Sequence, residues 1–177
     1  MAQLSDDQVA AFQAFLDKQA IGENMLQYCR AVDRFDLDLL KSTYWQDGWD
    51  DHGQYRGPPH PFAEGVVASQ GMYETLYHLT SPMLIDLDGN QARAETWFFC
   101  VMIFNGSTAK GPADFLLGGR YKDLYEKRNG MWKVLRRTCI WDWNQDHPHL
   151  SNWGRSNIPA ESNFGAPKPK DPIYAPW

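Results

Sequence analysis

Hydrophobic positions recur at helical spacing through the first part of the chain. Ser5 and Gln8 form an S-x-x-Q capping box, a pattern that predicts the start of a helix. Two apolar stripes with a period of three or four residues follow it. Their members are Val9, Phe12 and Leu16, and then Ile21, Met25, Tyr28, Cys29 and Val32.

Two shorter helices are predicted after these stripes. Residues 35–44 form one helix, for which Asp36 supplies an N-cap oxygen. Residues 62–77 form the other, because Phe62, Val66, Tyr73 and Tyr77 recur on one helical face.

The second half of the sequence predicts a strand meander. Residues 83–87 lead into a turn at 88–90, and a long strand covers residues 91–104. Residues 115–127 and 131–143 form two further strands, joined by a turn that contains Asn129 and Gly130. Helices that precede a long antiparallel meander predict an α+β fold, with the helices packed on one face of a curved sheet.

The periodicity disappears near the end of the chain. Residues 147–177 hold six prolines and little regular pattern, which is typical of an extended arm. We therefore expect one domain over residues 1–146 and a Pro-rich arm over residues 147–177. The arm's aromatic residues, Trp153, Tyr174 and Trp177, favour docking on a neighbouring surface.

Composition and charge narrow the classes of function. A length of 177 residues with 43% hydrophobic content suits a single packed domain. The longest apolar run has eight residues (97–104), whereas a membrane-spanning helix needs about twenty. The net charge is −5, without a run of Lys or Arg, so a nucleic-acid partner is not expected. The first residues do not resemble a secretory signal. The three widely spaced cysteines indicate a reducing, cytoplasmic setting.

Aromatic residues make up 14% of the chain, which suits a flat, hydrophobic small molecule. Subunit interfaces use the same residue types. The long strand at 91–104 is apolar on both faces, and the helices of one chain can cover only one of them. We therefore expect a homodimer or a homotrimer through the sheet.

Asp33 and His78 are the main candidates for chemistry. Asp33 falls inside the apolar arc of its helix, where a carboxylate is costly unless it is paired. Alternatively, it ends the helix and turns outward with Arg34 and Asp36. His78 follows the third helical pattern, and a lone histidine in an apolar setting is usually structural. An aspartate that orients it would make it a proton-transfer group.

A polar segment at residues 49–55 is expected to form the first strand. Alternation places Asp50 and His52 on one face, and Trp49 and Tyr55 on the other. Asp50 with His52, or His147 with His149, would supply two metal ligands but no third. We therefore expect no metal site. Motifs for serine hydrolases, nucleotide hydrolases and dinucleotide binding do not occur.

Four segments together resemble the SnoaL-like branch of the NTF2-like superfamily. They are YCRAVD at 28–33, WDDHG at 49–53, His78 with the following strand that ends IDLDG at 85–89, and GGRYKDLYEK at 118–127 followed by NGMW at 129–132. This branch includes scytalone dehydratase, the bile acid 7α-dehydratase and lindane dehydrochlorinase. The resemblance covers roughly residues 10 to 146.

The resemblance implies a cone-shaped α+β barrel with a hydrophobic pocket and an Asp–His dyad. Asp33 and His78 fall on the dyad positions, and Tyr28 falls on a pocket tyrosine of the dehydratases. His52 stands where several of them place a second tyrosine, with Tyr55 nearby. A second histidine that scytalone dehydratase carries on a later strand has no counterpart at 91–104. These relatives are lyases that need no cofactor.

The function expected from the resemblance is an elimination on a hydroxylated aromatic molecule. His78, oriented by Asp33, would abstract a proton, and Tyr28 or His52 would protonate the leaving oxygen. Five aromatic residues would line the substrate pocket: Trp49, Tyr55, Trp97, Phe99 and Trp141. A narrower hypothesis, from the lignin-derived diarylpropane lyase of the superfamily, is that a diaryl propanediol loses water and formaldehyde to give a stilbene.

Other functions are also compatible with the sequence. The same fold serves dehydratases or isomerases of steroid or polyketide-like substrates, and epoxide hydrolases. It also serves as the non-catalytic small subunit of ring-hydroxylating dioxygenases, and as a binding module in nuclear transport factor 2. The last two would leave Asp33 and His78 without a chemical role.

Overall fold

The computed structural model describes residues 4–107, 111–150, 158–159 and 161–176. Helices lead the chain and strands follow. The α-helices are α1 (Asp6–Asp33), α2 (Leu37–Ser42) and α3 (Pro59–Ala68). The strands are β1 (Tyr44–Asp51), β2 (Arg56–Gly57), β3 (Tyr73–Thr80), β4 (Leu84–Asp88), β5 (Gln91–Asn105), β6 (Pro112–Arg128) and β7 (Met131–Pro148).

The first helix is a single unbroken element that carries both predicted stripes. Its capping box is confirmed, because Gln8 N donates to Ser5 Oγ and Ser5 N donates to Gln8 Oε1. The first half of α1 is exposed, and burial begins at Ile21. The second half packs against the sheet, so the last turns of α1 face the interior and place Tyr28 and Asp33 there.

The helix predicted over residues 35–44 is shorter than expected. Asp36 is its N-cap as predicted, with Leu39 N donating to Asp36 Oδ1 at 3.2 Å. Phe35 has a φ of 54°, which lies in the left-handed region and excludes it from a helix. Tyr44 belongs to β1, because its backbone pairs with Val134 of β7.

The helix predicted over residues 62–77 is wrong beyond Ala68. Ser69 N–H closes the helix on Gly65 O and Val66 O, and residues 73–80 pair antiparallel with β5. Aromatic and β-branched residues in this stretch suit a strand, and pairing with β5 overrides the helical spacing. His78 consequently lies within β3 and not at its beginning.

The sheet has the order β2-β1-β7-β6-β5-β3, and β4 also pairs with β5. β1 runs parallel to β7, and the other pairings are antiparallel. The hairpin predicted at Asn129 and Gly130 is confirmed, with φ angles of 51° and 79° that suit a tight two-residue turn. The predicted α+β architecture is confirmed, since the helices cover one face of a curved sheet.

A bulge in β7 leaves Asp142 without a partner in the ladder, opposite Gly118 and Gly119 of β6. A Cβ on Gly119 would lie 2.1 Å from Ile140 O and 2.8 Å from the Phe98 ring. Only glycine therefore allows the two strands and the Phe98 ring to approach so closely at this point.

The C-terminal arm begins later than predicted, because β7 continues through His147 to Pro148. Its described part docks on the corner between α1 and α2. Lys168 N donates to Arg34 O at 2.8 Å, and Arg34 pairs with Asp171 at 2.7 Å. Tyr174, one of the three predicted docking aromatics, donates to Asp36 at 3.1 Å. Trp153 and Trp177 lie outside the described residues.

In the part of the chain that the structure describes, no helix is long and apolar enough to cross a membrane. The three cysteines are free thiols, and all three are buried in the core.

Candidate active site

Asp33 and His78 are in direct contact although 45 residues separate them in the sequence. His78 Nδ1 lies 2.6 Å from Asp33 Oδ1, and the His78 backbone N–H donates to Asp33 Oδ2 at 2.9 Å. Their side chains are only 9% and 7% exposed. The alternative in which Asp33 turns outward is therefore wrong. Because Nδ1 is engaged by the carboxylate, Nε2 is the nitrogen that can exchange a proton with another molecule.

The surroundings of His78 favour its protonated form. Burial alone would lower the pKa of His78, but the neighbouring Cys100 and Asp33 outweigh burial and hold this pKa well above its ordinary value. Cys100 lies directly opposite His78 on β5, and Asp33 contributes both a hydrogen bond and a negative charge. The neutral imidazole, which is the form that can accept a proton, is therefore favoured by a rise in pH.

A second Asp–His contact lies at the end of β1. His52 Nδ1 is 2.5 Å from Asp50 Oδ1, and His52 Nε2 is 3.2 Å from the Tyr28 hydroxyl. The other Asp50 oxygen accepts a hydrogen bond from Tyr44 at 2.7 Å. Asp50 is completely buried. The alternation of β1 predicts that Asp50 and His52 share a face, but nothing in the sequence indicates their contacts with Tyr28 and Tyr44.

A buried arginine lies beneath this cluster. Arg137 donates two hydrogen bonds to Asp123, at 2.8 and 2.6 Å, and neither side chain is exposed. Its guanidinium lies over the rings of Tyr28 at 4.1 Å and Tyr121 at 4.3 Å, a cation–π arrangement. Sequence reasoning missed this pair. The two residues are in direct register only because the pairing shifts between Leu124 and Tyr125, and the spacing from the turn at Asn129 does not indicate that shift.

Tyr28 stays protonated in this environment. Burial is the largest influence and raises the pKa of Tyr28 far above its ordinary value, with the Arg137 charge acting in the opposite direction. Tyr28 is therefore a neutral phenol, which can donate its single hydrogen and can accept another.

An aromatic group joins the two histidines. Phe98 stacks on Tyr121 with ring centroids 4.4 Å apart, and Trp141 contacts Phe98 edge-on at 5.8 Å. The His78 ring lies 6.5 Å from Phe98, and the His52 ring lies 6.1 Å from Tyr121. Both imidazoles therefore border one hydrophobic aromatic surface.

Two predicted pocket residues lie near His52. Trp141 is 6.3 Å from the His52 ring and is half exposed, at the rim of this site. Phe62 stacks on the His52 ring at 4.5 Å, and Tyr55 packs on Phe62 at 5.6 Å. The Tyr55 hydroxyl donates to the backbone of Pro58, so Tyr55 supports the rim of the site.

The other three predicted pocket residues lie elsewhere. Trp49 and Trp97 are 44% and 45% exposed on the outer face of the sheet, and Phe99 packs there against Trp143. The prediction that Trp49, Trp97 and Phe99 line the pocket is therefore wrong. Side chains alternate along a strand, and the inward position of β5 belongs to Phe98.

Metal-ligand clusters are absent from the described residues. Among them, no three side chains of His, Cys, Asp or Glu converge as a metal ion would require. His147 and His149 do not face one another: His147 contacts Gln145, and His149 contacts Asp114.

The structure also contains two open cavities. One of about 610 Å³ lies between β3 and the arm, and Asp33 is part of its lining. Another of about 780 Å³ lies along β4 to β7. Neither is lined by His78 or His52. We place the candidate site at the histidines because buried acid–base groups converge there.

Residues 13–138 match the family model of the SnoaL-like domain. The matched stretch includes Tyr28, Asp33, His52 and His78, and it ends before Trp141 and the arm. No curated protein matches the sequence.

Solved structures with the same fold include several named for reactions. A type 2 hexachlorocyclohexane dehydrochlorinase is 17% identical with a TM-score of 0.72, covering 81% of this chain and 99% of its own. A protein of Novosphingobium aromaticivorans assigned as a scytalone dehydratase is 19% identical with a TM-score of 0.68, covering 82% and 99%. Another protein from that organism, assigned as an aromatic ring hydroxylase, is 18% identical with a TM-score of 0.65, covering 75% and 94%. At these identities the similarity establishes a shared fold.

Proposed function

The chain belongs to the SnoaL-like domain family of the NTF2-like superfamily, and on that basis we propose that it is a cofactor-independent lyase. Its reaction is an acid–base elimination on a hydroxylated aromatic small molecule. Two of its structural neighbours are named for elimination reactions, a dehydrochlorinase and a dehydratase.

The observation that carries this proposal is the buried contact between Asp33 and His78. The carboxylate holds the imidazole through Nδ1 and through the backbone N–H. This arrangement fixes the tautomer and the ring orientation, and it stabilises the imidazolium that forms when Nε2 takes a proton. A histidine with only a packing role does not need two contacts with a buried carboxylate.

In the proposed reaction, His78 Nε2 removes a proton from the substrate. The released electron pair forms a new double bond, and the carbon–oxygen bond breaks on the other side. Tyr28 or His52 then supplies a proton to the departing oxygen. A positioned acid or base contributes on the order of 10² to 10⁴-fold, so two such groups with good positioning support an elimination without a cofactor.

The substrate class follows from the aromatic surface between the histidines. Phe98 and Tyr121 form a buried aromatic group, and the half-exposed Trp141 contacts it edge-on. An aromatic molecule suits such surroundings. We propose a phenolic substrate with a benzylic hydroxyl, because loss of that hydroxyl can proceed through a quinone methide.

A narrower candidate is a diaryl propanediol. Loss of water at its benzylic carbon gives the quinone methide. Deprotonation of the primary alcohol then breaks a carbon–carbon bond and releases formaldehyde. The electrons of the broken bond restore the phenol, and the product is a stilbene. The aromatic residues Phe98, Tyr121 and Trp141 between the histidines support an aromatic substrate of this kind.

The test is an absorbance assay without added cofactor on a panel of phenolic benzylic alcohols and diaryl propanediols, with formaldehyde measured separately. Wild type is compared with His78→Ala and Asp33→Asn. His147→Ala and Asp86→Asn are matched controls, because His147 and Asp86 are exposed and far from the site. New conjugation that both site variants abolish while folded, and that both controls retain, would support the lyase. Turnover that survives both site variants, or none across the panel, would contradict it.

A second candidate is a structural subunit of an aromatic ring hydroxylase. One neighbour is assigned as such a hydroxylase, and several large aromatic residues are exposed on the outer sheet face. This candidate predicts no turnover by the purified chain and co-purification with a catalytic subunit. Turnover by the purified chain alone would exclude it.

A further inference from the structure

We propose that Asp50 and His52 form a second acid–base pair, in which protonated His52 supplies the proton for the leaving group through the Tyr28 hydroxyl. This inference rests on the proposed function, in which His78 removes a proton from the substrate. It assigns the acid side of the reaction to three residues that act in series.

The hydrogen bonds that join Asp50, His52 and Tyr28 restrict the direction in which a proton can move between them. A neutral His52 that donates from Nδ1 to Asp50 has only a lone pair on Nε2. That lone pair accepts the single hydrogen of Tyr28, which then cannot be donated to a substrate. When His52 is protonated, Nε2 donates to the Tyr28 oxygen, and the Tyr28 hydrogen becomes available to the leaving group.

Asp50 is suited to stabilise the protonated state. It is completely buried, and it accepts hydrogen bonds from His52 on one oxygen and from Tyr44 on the other. Charge-assisted hydrogen bonds of this kind are the stronger class. The neighbouring Asp51 is different, since it faces Arg56 and the Gly53 backbone near the surface.

The other groups around His52 come from several elements. Tyr28 lies on α1, Tyr121 on β6, and Arg137 on β7 beneath the Tyr28 ring. Arg137 is the nearby cation, and Asp123 neutralises it through two hydrogen bonds. Cys139 of β7 is a buried thiol, and Phe62, Trp141 and Tyr55 complete the surroundings without charge. Among these groups, Asp50 is therefore the carboxylate that contacts the His52 imidazole directly.

The two Asp–His pairs border different rings of the same aromatic group. His78 borders Phe98, and His52 borders Tyr121, which stacks on Phe98. A substrate bound against this group would meet a base beside Phe98 and an acid beside Tyr121. In one turnover His78 gains a proton and His52 loses one. The electron pair of the bond to the abstracted hydrogen forms the new double bond, which in a phenolic substrate is the carbonyl of the quinone methide. The carbon–oxygen electrons leave with the oxygen, and solvent returns a proton from His78 to His52.

The first test uses the protein without a substrate. Long-range ¹H–¹⁵N correlation spectra report which imidazole nitrogen of each of the five histidines carries the proton, and His52→Gln assigns the His52 signals. We expect neutral His52 to carry its proton on Nδ1, and Asp50→Asn to remove that preference. Asp51→Asn, which changes the adjacent and partly exposed aspartate, should leave it unchanged. The proposed pair would be contradicted if neutral His52 carries its proton on Nε2. It would also be contradicted if Asp50→Asn does not change which nitrogen carries the proton.

The second test separates an acid from a structural residue. A diaryl propanediol is compared with its analogue in which 4-nitrophenoxide replaces the benzylic hydroxyl, because nitrophenoxide leaves without a proton. We expect Asp50→Asn and His52→Gln to lower kcat by about 10²-fold for the alcohol and by less than about tenfold for the nitrophenyl ether. His78→Ala should lower both.

Equal losses on both compounds would show that Asp50 and His52 only support the fold, and the inference would fail. If wild type turns over neither compound, the proposed function fails instead, and the tautomer measurement still decides whether the second pair exists. Circular dichroism checks that each variant is folded. If Asp50→Asn does not fold, Tyr44→Phe is used, which removes one hydrogen bond from Asp50 and keeps its charge.

Discussion

Asp33 accepts two hydrogen bonds from His78, one from the backbone N–H at 2.9 Å and one from Nδ1 at 2.6 Å. The carboxylate thereby joins the last turn of α1 to the middle of β3. A single side chain fixes the orientation of the imidazole and also part of the helix–sheet packing. Substitution of Asp33 is therefore expected to affect the chemistry of His78 more specifically than a change elsewhere in the core.

The pH dependence of the reaction is the first prediction. The pKa of His78 is raised, because Cys100 and Asp33 outweigh the effect of burial. Only the neutral imidazole accepts a proton, so kcat/KM should rise with pH through that raised pKa. In Asp33→Asn the carboxylate charge is lost and the pKa of His78 falls. The acidic limb should then move to lower pH, while the maximal rate falls on the order of 10²-fold.

Rates measured from about pH 5 to about pH 9 check this prediction. Asp86→Asn, an exposed aspartate on β4, serves as the control and should keep the wild-type profile. An acidic limb that stays in place in Asp33→Asn would contradict the role assigned to Asp33.

The buried pair of Arg137 and Asp123 should control stability. Asp123→Ala leaves the guanidinium buried without its carboxylate, and we expect a loss of about 3–5 kcal/mol in the free energy of unfolding. The double variant Asp123→Leu/Arg137→Met removes both charges and should lose less than Asp123→Ala alone. Urea denaturation measures both values. A double variant that is less stable than the single one would show that the ion pair itself is a net source of stability.

Gly119 and Gly65 provide a matched pair of alanine substitutions. In Gly119→Ala the new methyl would meet Ile140 O and the Phe98 ring, so we expect a loss of about 1–3 kcal/mol and displacement of Phe98. In Gly65→Ala on α3 nothing lies within 4 Å of the new methyl, and we expect a gain of about 0.4–1 kcal/mol. Thermal unfolding measures both. Equal changes in stability in Gly119→Ala and Gly65→Ala would show that the close contact at Gly119 does not exist.

The arm should stabilise the corner that follows Asp33. Asp171 pairs with Arg34 and accepts the backbone N–H groups of Ala166 and Ile173. Burial acts to raise the pKa of Asp171, but those backbone hydrogen bonds and the charge of Arg34 outweigh it and lower this pKa. The stabilisation is therefore present above the unfolded-state pKa of about 3.9 and is lost as pH falls through the lowered value.

We expect Asp171→Ala to reduce stability by about 1–3 kcal/mol near neutral pH and to speed hydrogen exchange at Arg34. Glu161→Ala changes an exposed carboxylate of the same arm and should change neither. Unaltered exchange in Asp171→Ala would show that the corner is stable without the arm.

We propose that the outer face of the sheet is buried between copies of the chain. Large hydrophobic residues are exposed there, among them Trp49, Tyr77, Leu79, Trp97 and Trp143. Patches of this kind usually mark an interface. Light scattering after size exclusion should give a dimer or a trimer of the 20.4 kDa chain, and Trp97→Glu should dissociate it. Met131→Glu, at the exposed end of a hairpin, should not. A wild-type monomer would contradict the proposal.

Short-range patterns in the sequence predicted much of the fold. The capping box at Ser5, the N-cap at Asp36 and the hairpin at Asn129 and Gly130 depend on neighbouring residues and are all confirmed. The long strands at the end of the chain were also predicted, although each continues further than expected. Asp50 and His52 share a side, as alternation predicts. The strand predicted over residues 49–55 nevertheless ends at Asp51, and Tyr55 packs on Phe62, near His52, and not with Trp49.

Which partner each element meets was decided by the tertiary structure. Tyr73 and Tyr77 have helical spacing, yet pairing with β5 makes them part of a strand. Because β5 is apolar on both faces, its sequence does not indicate which face is buried. The helices cover the face that carries Phe98, so Phe98 is buried and Trp97 is exposed.

For the candidate site as well, some features were determined by the sequence and others by the tertiary structure. Residue type and helical position made Asp33 a candidate, because a carboxylate inside an apolar arc needs a partner. Its partner is supplied by β3, and the contacts of His52 with Asp50 and Tyr28 depend on how β1 and α1 pack. Such contacts join residues that are distant in sequence or lie beyond a strand end, so no local pattern contains them. The sequence by itself determined which groups were available for acid–base chemistry, and the packing of α1 against the curved sheet decided which of them meet.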